Sequence, residues 1–224
     1  MTLNELLKRY LIFTLAVFIM GFSIGTITNA QLGVTPISSL NYVFSVHTPF
    51  SLGLTTFIFN IILIILEIFL EERLNHRKII GIIAQFPICI IFSIAIDLGL
   101  YILNHIMPDD KSYFIALIEL AIGIIFLSLG VTLQVIANVL MVPGEAVVKS
   151  IATRLNKPFG FIKIAFDCSL VIAAIITSLI YTSFSYVDGI REGTVICALL
   201  TGMLVKYLLP FFMKLSKKIL TSQP

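Results

Sequence analysis

The sequence predicts an all-α membrane protein: six transmembrane helices form a 3+3 inverted repeat, and each repeat has a Pro-interrupted short helix between its first and second spans. Three observations predict this fold. Of the 224 residues, 58% are hydrophobic and only 12% are charged, which leaves a soluble domain too little polar surface. The apolar residues gather in six long stretches, and proline interrupts the chain at corresponding places in its two halves.

The six apolar stretches each have the length of a membrane span. A hydrocarbon core about 30 Å thick is crossed by roughly 20 apolar residues in helical conformation. Short polar turns at 71–78, 107–111 and 183–192 separate neighbouring stretches, so no soluble domain is left over. The predicted spans are 10–29, 52–70, 79–104, 113–138, 161–182 and 194–213.

The distribution of lysine and arginine predicts the orientation, because cationic loops stay on the cytoplasmic side. If the N-terminus is cytoplasmic, only Lys111 and Arg191 among the 15 cations lie outside. This arrangement predicts a multi-pass protein with both termini in the cytoplasm. The cations on the cytoplasmic side are then Lys8, Arg9, Arg73, Arg77, Lys78, Lys149, Arg154, Lys157, Lys163, Lys206, Lys214, Lys217 and Lys218.

Glycine, asparagine and proline recur at a nearly constant spacing between the two halves. Since each half crosses the membrane three times, an odd number, the second half must enter from the opposite face. The sequence therefore predicts repeats at 1–106 and 107–224, related by inversion. The recurring pairs are Gly21 with Gly130, Asn29 with Asn138, Pro36 with Pro143, Pro49 with Pro158 and Gly81 with Gly193.

The two breaks, at 33–39 and 141–145, each contain one of the paired prolines. Proline lacks an amide hydrogen and keeps the preceding residue extended, so short helices are predicted at 37–46 and 144–155. In one interpretation these helices enter from opposite faces, with their positive N-terminal ends near the midplane. In the other they lie flat in the interface as connectors, and Lys149, Arg154 and Lys157 form the basic face of the second one.

The first interpretation predicts a solute site at the breaks. Glu145 stands in the first turn of the second short helix, where a carboxylate also has a structural role in capping the helix. Asp167 lies inside a span and is, with Glu145, a candidate for proton or cation coupling. Lys163 lies four residues before Asp167 and offers an ion pair instead. The candidate solute-binding residues are Thr35, Pro36, Ser38, Ser39, Asn60, Gln85, Pro143, Gly144 and Glu145.

Other polar residues receive structural interpretations. Glu67 is interpreted as a solvated flank of the second span, and Asp97 and Glu119 as residues near helix ends that reach the interface. Gln134 and Asn138 are interpreted mainly as partners in interhelical hydrogen bonds.

Several function classes lack their motifs. There is no Ser-His-Asp arrangement, no catalytic carboxylate pair and no phosphate-binding glycine loop, so the sequence predicts neither an enzyme nor a cofactor. Cys89, Cys168 and Cys197 lie in apolar runs without metal-ligand spacing and are expected to be buried, with no metal site. The net charge of +3, without basic-aromatic motifs, predicts no nucleic-acid partner.

Five short motifs, in this order and spacing, resemble the YczE-like proteins of the wider YitT-type group. They are LGVTP at 32–36, IDLGL at 96–100, VPGE at 142–145, EGT at 192–194 and ALLTG at 198–202. The resemblance implies a six-helix protein of the bacterial cytoplasmic membrane and implies no substrate. Glu145 stands where the group would have Asp, Asp167 where it would have Glu, and Met203 where proline would follow Gly202.

The leading functional hypothesis is a secondary transporter or exporter of an unidentified small solute, with anionic and amphipathic solutes among the candidates. One alternative is a non-transporting membrane partner of a biosynthetic or export complex, and another is a lipid-handling protein or flippase. The bilayer is the one partner that the composition requires. A homo-oligomer and a partner membrane protein both stay open.

Overall fold

The computed structural model describes residues 3–71, 76–108 and 111–220. Half of the predicted turn at 71–78, including Arg73, and residues 109–110 of the predicted turn at 107–111 lie outside the described residues. The side chains of Arg77, Lys217 and Lys218, also used in the orientation argument, lie outside them as well.

Every regular element in the described ranges is a helix, and six of the helices are long and apolar enough to cross a membrane. The predicted number of spans is thereby confirmed for this part of the chain. The spanning helices are α1 (Leu3–Asn29), α3 (Leu52–Leu70), α4 (His76–Ile106), α5 (Tyr113–Ala137), α7 (Phe159–Tyr181) and α8 (Glu192–Leu220). The short helices are α2 (Ser39–His47), which follows a 3-10 turn at Pro36–Ser38, and α6 (Pro143–Leu155).

Local sequence explains where several helices begin and end. The hydroxyls of Ser51 and Ser112 accept hydrogen bonds from backbone amides in the first turns of α3 and α5. Pro143 occupies the start of α6, where its missing amide hydrogen costs nothing. Asn138 and Asn156 adopt left-handed conformations, with φ of 47° and 51°, and so end α5 and α6.

Helix α1 forms the centre of the bundle and packs along both α4 and α5. Glycines allow α1 and α4 to approach closely: a Cβ atom on Gly25 would lie 2.6 Å from the carbonyl oxygen of Ile96. Gly99 faces the backbone of Phe22 in the same contact. Small residues at helix contacts let backbones pack tightly where water cannot drive association.

Helices α1 and α5 run antiparallel, since Gly123 lies against Ile27 and Gly130 against Met20. We call the end of the bundle where α1 begins and α5 ends the N-terminal face, and the other end the opposite face. Helix α8 begins at the opposite face, where the amide of Gly193 donates to the carbonyl of Leu32 just after α1.

Helices α1 and α5 are linked at both faces by a cation. The cation lies near the start of one helix and binds the C-terminal end of the other. Arg9 on α1 donates from Nη1 to the carbonyl oxygen of Ala137, at 3.1 Å. Lys111, just before α5, donates from Nζ to both the carbonyl and the side-chain oxygen of Asn29. Cations at helix C-termini satisfy free carbonyls and complement the helix dipole.

The short helices lie within the bundle and each contacts spanning helices from both halves of the chain. Helix α2 packs against α3 and α7, and α6 also packs against α3 and α7. Their starting segments meet, because a Cβ atom on Gly144 would lie 2.6 Å from Cδ1 of Ile37. From this contact α2 runs toward the opposite face and α6 toward the N-terminal face.

The packing of the last two spans differs from that of α3 and α4. Helices α3 and α4 pack along each other, whereas α7 and α8 share no contact of comparable extent among the described residues. In an apolar stretch of 18 residues, only 17% of the stretch is buried in α7 and only 6% in α8. These helices therefore present wide apolar surfaces to the surroundings.

Candidate functional site

Two cavities formed by the described residues open on opposite faces of the bundle. The first, about 840 Å³, lies at the N-terminal face between the end of α3, the start of α4, the end of α5 and one side of α6. The second, about 480 Å³, lies at the opposite face next to the break after α1, α2 and the segment before α8. We call them the N-face cavity and the opposite cavity.

One wall of the N-face cavity carries a hydrogen-bonded pair from α3 and α4. Gln85 donates from Nε2 to a carboxylate oxygen of Glu67, at 2.8 Å. Both side chains are withdrawn from the surface, with 4% of Gln85 and 8% of Glu67 exposed. The Oε1 atom of Gln85 has no hydrogen-bond partner among the described residues.

A second glutamine and glutamate pair lies across the cavity on α5 and α6. Gln134 donates from Nε2 to the carboxylate of Glu145, and its own Oε1 atom has no partner among the described residues. Gln134 is 2% exposed, while Glu145 is partly exposed to the cavity. Burial raises the pKa of Glu145, which lies outside the six spans, and the charge of Lys163 and the Gln134 hydrogen bond oppose that rise.

The two pairs give the cavity interior an excess of hydrogen-bond acceptors. An ionised carboxylate only accepts hydrogen bonds, so each glutamine must turn its amide nitrogen toward the carboxylate and its oxygen away. A buried acceptor without a donor costs free energy. The interior is therefore suited to a group that donates hydrogen bonds.

Charged residues at the mouth of the N-face cavity are more exposed than this interior. Lys78 forms an ion pair with Glu71, and Lys149 and Arg154 are exposed on α6. Water and salt screen charges at such positions.

The opposite cavity has a different chemistry, because several of its polar groups already have partners. Asn29 donates to the side-chain oxygen of Asn104. The carboxylate of Asp188 accepts from the Ser178 hydroxyl at 3.0 Å and lies 2.8 Å from Nε2 of His47. These contacts hold the segment before α8 against α2 and α7.

The hydroxyl-bearing residues of the first break are used within the break itself. The hydroxyls of Thr35 and Ser38 form a hydrogen bond with each other, and Ser39 donates to the carbonyl oxygen of Pro36 at 2.7 Å. All three hydroxyl residues are buried and none lines either cavity. They stabilise the turn at the start of α2.

The remaining predicted binding residues fall in different places. Gln85 and Glu145 line the N-face cavity. Pro143 and Gly144 are buried at the start of α6, in the contact with the first break. Asn60 is buried on α3 with its Nδ2 atom unpartnered among the described residues, but it lines neither cavity.

Asp167, predicted for coupling, forms an ion pair with Lys163 on the same helix. Both side chains are about one quarter exposed, and neither lines a cavity. Asp167 acts on Glu145 only through its charge, which adds to the rise in the pKa of that carboxyl.

Glu67 and Gln134 are the cavity residues that sequence reasoning missed. The interpretation of Glu67 as a solvated flank was wrong, since it is buried against α4. A signal was present, because Thr56, Asn60 and Glu67 recur at helical spacing and form one buried polar stripe on α3.

Asp97 and Glu119 also have defined partners in place of the predicted interface. Asp97 accepts hydrogen bonds from the Ser51 hydroxyl at 2.6 Å and from the Gly53 amide at 2.7 Å, and so caps α3. Glu119 is buried and forms an ion pair with Lys111 at 2.6 Å. Both acids therefore hold helices together.

The cysteines and potential metal ligands add no further site in the described part of the chain. Cys89 and Cys197 are buried, whereas Cys168 is exposed, contrary to the expectation for all three. No group of three or more His, Cys, Asp and Glu residues in the described ranges is arranged to hold a metal ion.

The protein-family model described as "Family of unknown function (DUF6198)" matches residues 7–210, which is most of the chain. No curated protein and no solved structure matches it.

Proposed function

The chain belongs to the DUF6198 family of unknown function, and from its geometry we propose that it is a secondary transporter of a small solute in the bacterial cytoplasmic membrane. The observation that carries the proposal is a pair of cavities on opposite faces, separated where the starts of α2 and α6 meet. Each cavity is built on one of these short helices. Transporters commonly place such broken segments at the interface between repeats.

The proposal includes the inverted repeat, with halves at 1–106 and 107–224. The packing supports it when α1 to α4 are matched in order with α5 to α8. The contact of α1 with α4 then corresponds to that of α5 with α8, and the contact of α2 with α7 corresponds to that of α6 with α3. The contact of Arg9 with Ala137 likewise corresponds to that of Lys111 with Asn29, because each joins the start of one helix to the end of its counterpart. A two-fold axis in the membrane plane, between antiparallel α1 and α5, would relate the halves.

The repeat supplies a mechanism of alternating access. Rocking of one half against the other would separate Ile37 from Gly144 and close the N-face cavity as the opposite cavity widens. The structure, with about 840 Å³ on one face and 480 Å³ on the other, would then be the state open to the N-terminal face.

We also propose that the N-terminal face is cytoplasmic. Of the two cations described on the opposite face, Lys111 is buried in its pair with Glu119, so Arg191 is the described cation that would meet the external solution there. The exposed cations of α6 lie on the N-terminal face, as retention of positive charge in the cytoplasm requires. The YczE-like resemblance of the sequence motifs belongs to the same proposal.

A cysteine pair at the contact between the breaks tests the transport mechanism. In a background without native cysteines, Ile37→Cys with Gly144→Cys is expected to form a disulfide on oxidation, because a Cβ atom on Gly144 would lie 2.6 Å from Cδ1 of Ile37. Oxidation should lower the initial rate of solute uptake into proteoliposomes at least about tenfold, and a reductant should restore it. Uptake would be measured over a broad solute panel, with and without a proton gradient.

The two single-cysteine variants serve as controls. For each of them, the rate of solute uptake should be the same after oxidation as after reduction. Unchanged transport by the oxidised, cross-linked pair would contradict the mechanism. If no solute in the panel is taken up, transport itself is contradicted and the function as a non-transporting membrane partner is favoured. The exposed cations of α6 offer a docking surface for that function.

Lipid handling is a second candidate because α7 and α8 lack the close packing seen between α3 and α4 among the described residues. An opening between α7 and α8 toward the bilayer would admit a lipid headgroup. Scrambling of a fluorescent lipid in the same proteoliposomes, without solute uptake, would favour this function over solute transport.

A further inference from the structure

The interior of the N-face cavity indicates the class of its ligand, and we propose that it binds a small protonated primary amine. The inference deepens the proposed function and rests on it for the role of the site in transport. The binding chemistry itself follows from Glu67, Gln85, Gln134 and Glu145, which line the cavity from four different helices.

The cavity interior offers hydrogen-bond acceptors that have no donor among the described residues. The Oε1 atoms of Gln85 and Gln134 are buried without partners among the described residues, although both side chains line the cavity. Each of their amide nitrogens already donates one hydrogen bond, to Glu67 and to Glu145 respectively. A primary ammonium group brings three N–H donors, which suit one carboxylate and its neighbouring amide oxygen together.

The charges around the two carboxylates also favour a cation. Two nearby cations already bind other acids, since Lys163 pairs with Asp167 and Lys78 pairs with Glu71. Lys149 and Arg154 also line the cavity but are exposed at its mouth, where water screens them. Glu67 and Glu145 therefore face the cavity without a dedicated counter-ion. Burying charge is costly unless it is paired, so a cationic ligand would be favoured over a neutral one.

An anionic solute, which the helix N-termini suggested at the level of sequence, fits the breaks less well than a cation fits the cavity interior. The amides of Glu145 and Ala146 both donate to the carbonyl oxygen of Val142, at 3.0 Å. The hydroxyls of the first break are bonded within the break. These amides and hydroxyls at the breaks thus already have partners.

The cavity lining suits a primary amine better than a quaternary ammonium ion. A quaternary ion has no N–H group and would leave both amide oxygens unsatisfied. Its usual binding site is a cage of aromatic rings, and no aromatic side chain lines the described part of this cavity. The aliphatic wall, which includes Ile82, Val139 and Leu140, suits an alkyl chain.

Binding to the purified full-length protein in detergent tests the proposal without relying on transport. The probes are butylamine, tetramethylammonium and butyrate, titrated by isothermal calorimetry near neutral pH. Butylamine should bind at least about tenfold more tightly than the other two. Glu67→Gln and Glu145→Gln should each weaken butylamine binding at least about tenfold, whereas Glu192→Gln, an exposed residue on the opposite face, should leave it unchanged.

Each outcome decides the proposal. Butylamine binding that depends on both carboxylates supports it, even if proteoliposomes show no transport, which would then count against the transport function alone. Equal or tighter binding of butyrate or tetramethylammonium overturns it. The absence of butylamine binding to the folded protein also overturns it, whether or not the protein transports another solute. Size-exclusion profiles matching the wild type confirm folding, and a Gln85→Met variant, also expected to bind more weakly, replaces any glutamate variant that misfolds.

Discussion

Replacing Gly25 by leucine is expected to prevent stable assembly of the bundle. A Cβ atom at this position would lie 2.6 Å from the carbonyl oxygen of Ile96 and 2.8 Å from the amide nitrogen of Leu100. Both are backbone atoms of α4, which cannot turn aside as a side chain can. Since moderate overpacking of a core costs about 1–3 kcal/mol, a leucine here should cost about 3 kcal/mol or more.

Thermal unfolding in detergent, followed by helical circular dichroism, would measure this effect. Gly202→Leu is the matched control, because Gly202 lies in helix α8 and a Cβ atom there would have no described atom of another element within 4 Å. The control should unfold within a few degrees of the wild type. If Gly25→Leu were as stable as Gly202→Leu, α1 and α4 could not pack backbone to backbone.

Lys111→Met is expected to have the second largest effect on stability. The Lys111 and Glu119 side chains are 6% and 2% exposed, and Lys111 also binds the end of α1 through Asn29. Removing one partner of a buried ion pair leaves an uncompensated charge, which costs about 3–5 kcal/mol. The free energy of unfolding in detergent should fall by about this amount.

Two further variants identify the cause of that loss. Arg191→Met breaks an exposed ion pair with Glu192 and should cost less than about 1 kcal/mol. Combining Lys111→Met with Glu119→Leu removes both charges and should recover much of the lost stability. A double variant no more stable than Lys111→Met would show that the contact with Asn29, and not the ion pair, dominates.

The number of spans was predictable from the sequence, because a bilayer dictates a minimum apolar length. The sequence places breaks at Pro36 and Pro143 for a similar reason, since these prolines cannot continue a helix in which their amides are needed. Both features depend on local chain chemistry, which a sequence states directly. That the breaks are the Pro-interrupted elements of an inverted repeat stays a prediction.

The inward faces of the helices were harder to predict, because in a membrane the lipid side and the core side are both apolar. Gln85 and Glu145 were found as polar exceptions, but Glu67 lies near a helix end among other acids and was taken for a solvated residue. The hydroxyls of Thr35 and Ser38 show the reverse error. Nothing in the sequence reveals that they satisfy each other within the turn.

The central claim is that the two cavities are open to opposite sides of the membrane and exchange access. Two single-cysteine variants in a background without native cysteines test it, Ser150→Cys in the N-face cavity and Ser45→Cys in the opposite cavity. A membrane-impermeant thiol reagent should label Ser150→Cys only from the cytoplasmic side and Ser45→Cys only from the external side. A transported solute should change the two labelling rates in opposite directions. Labelling of both variants from the same side would contradict the claim.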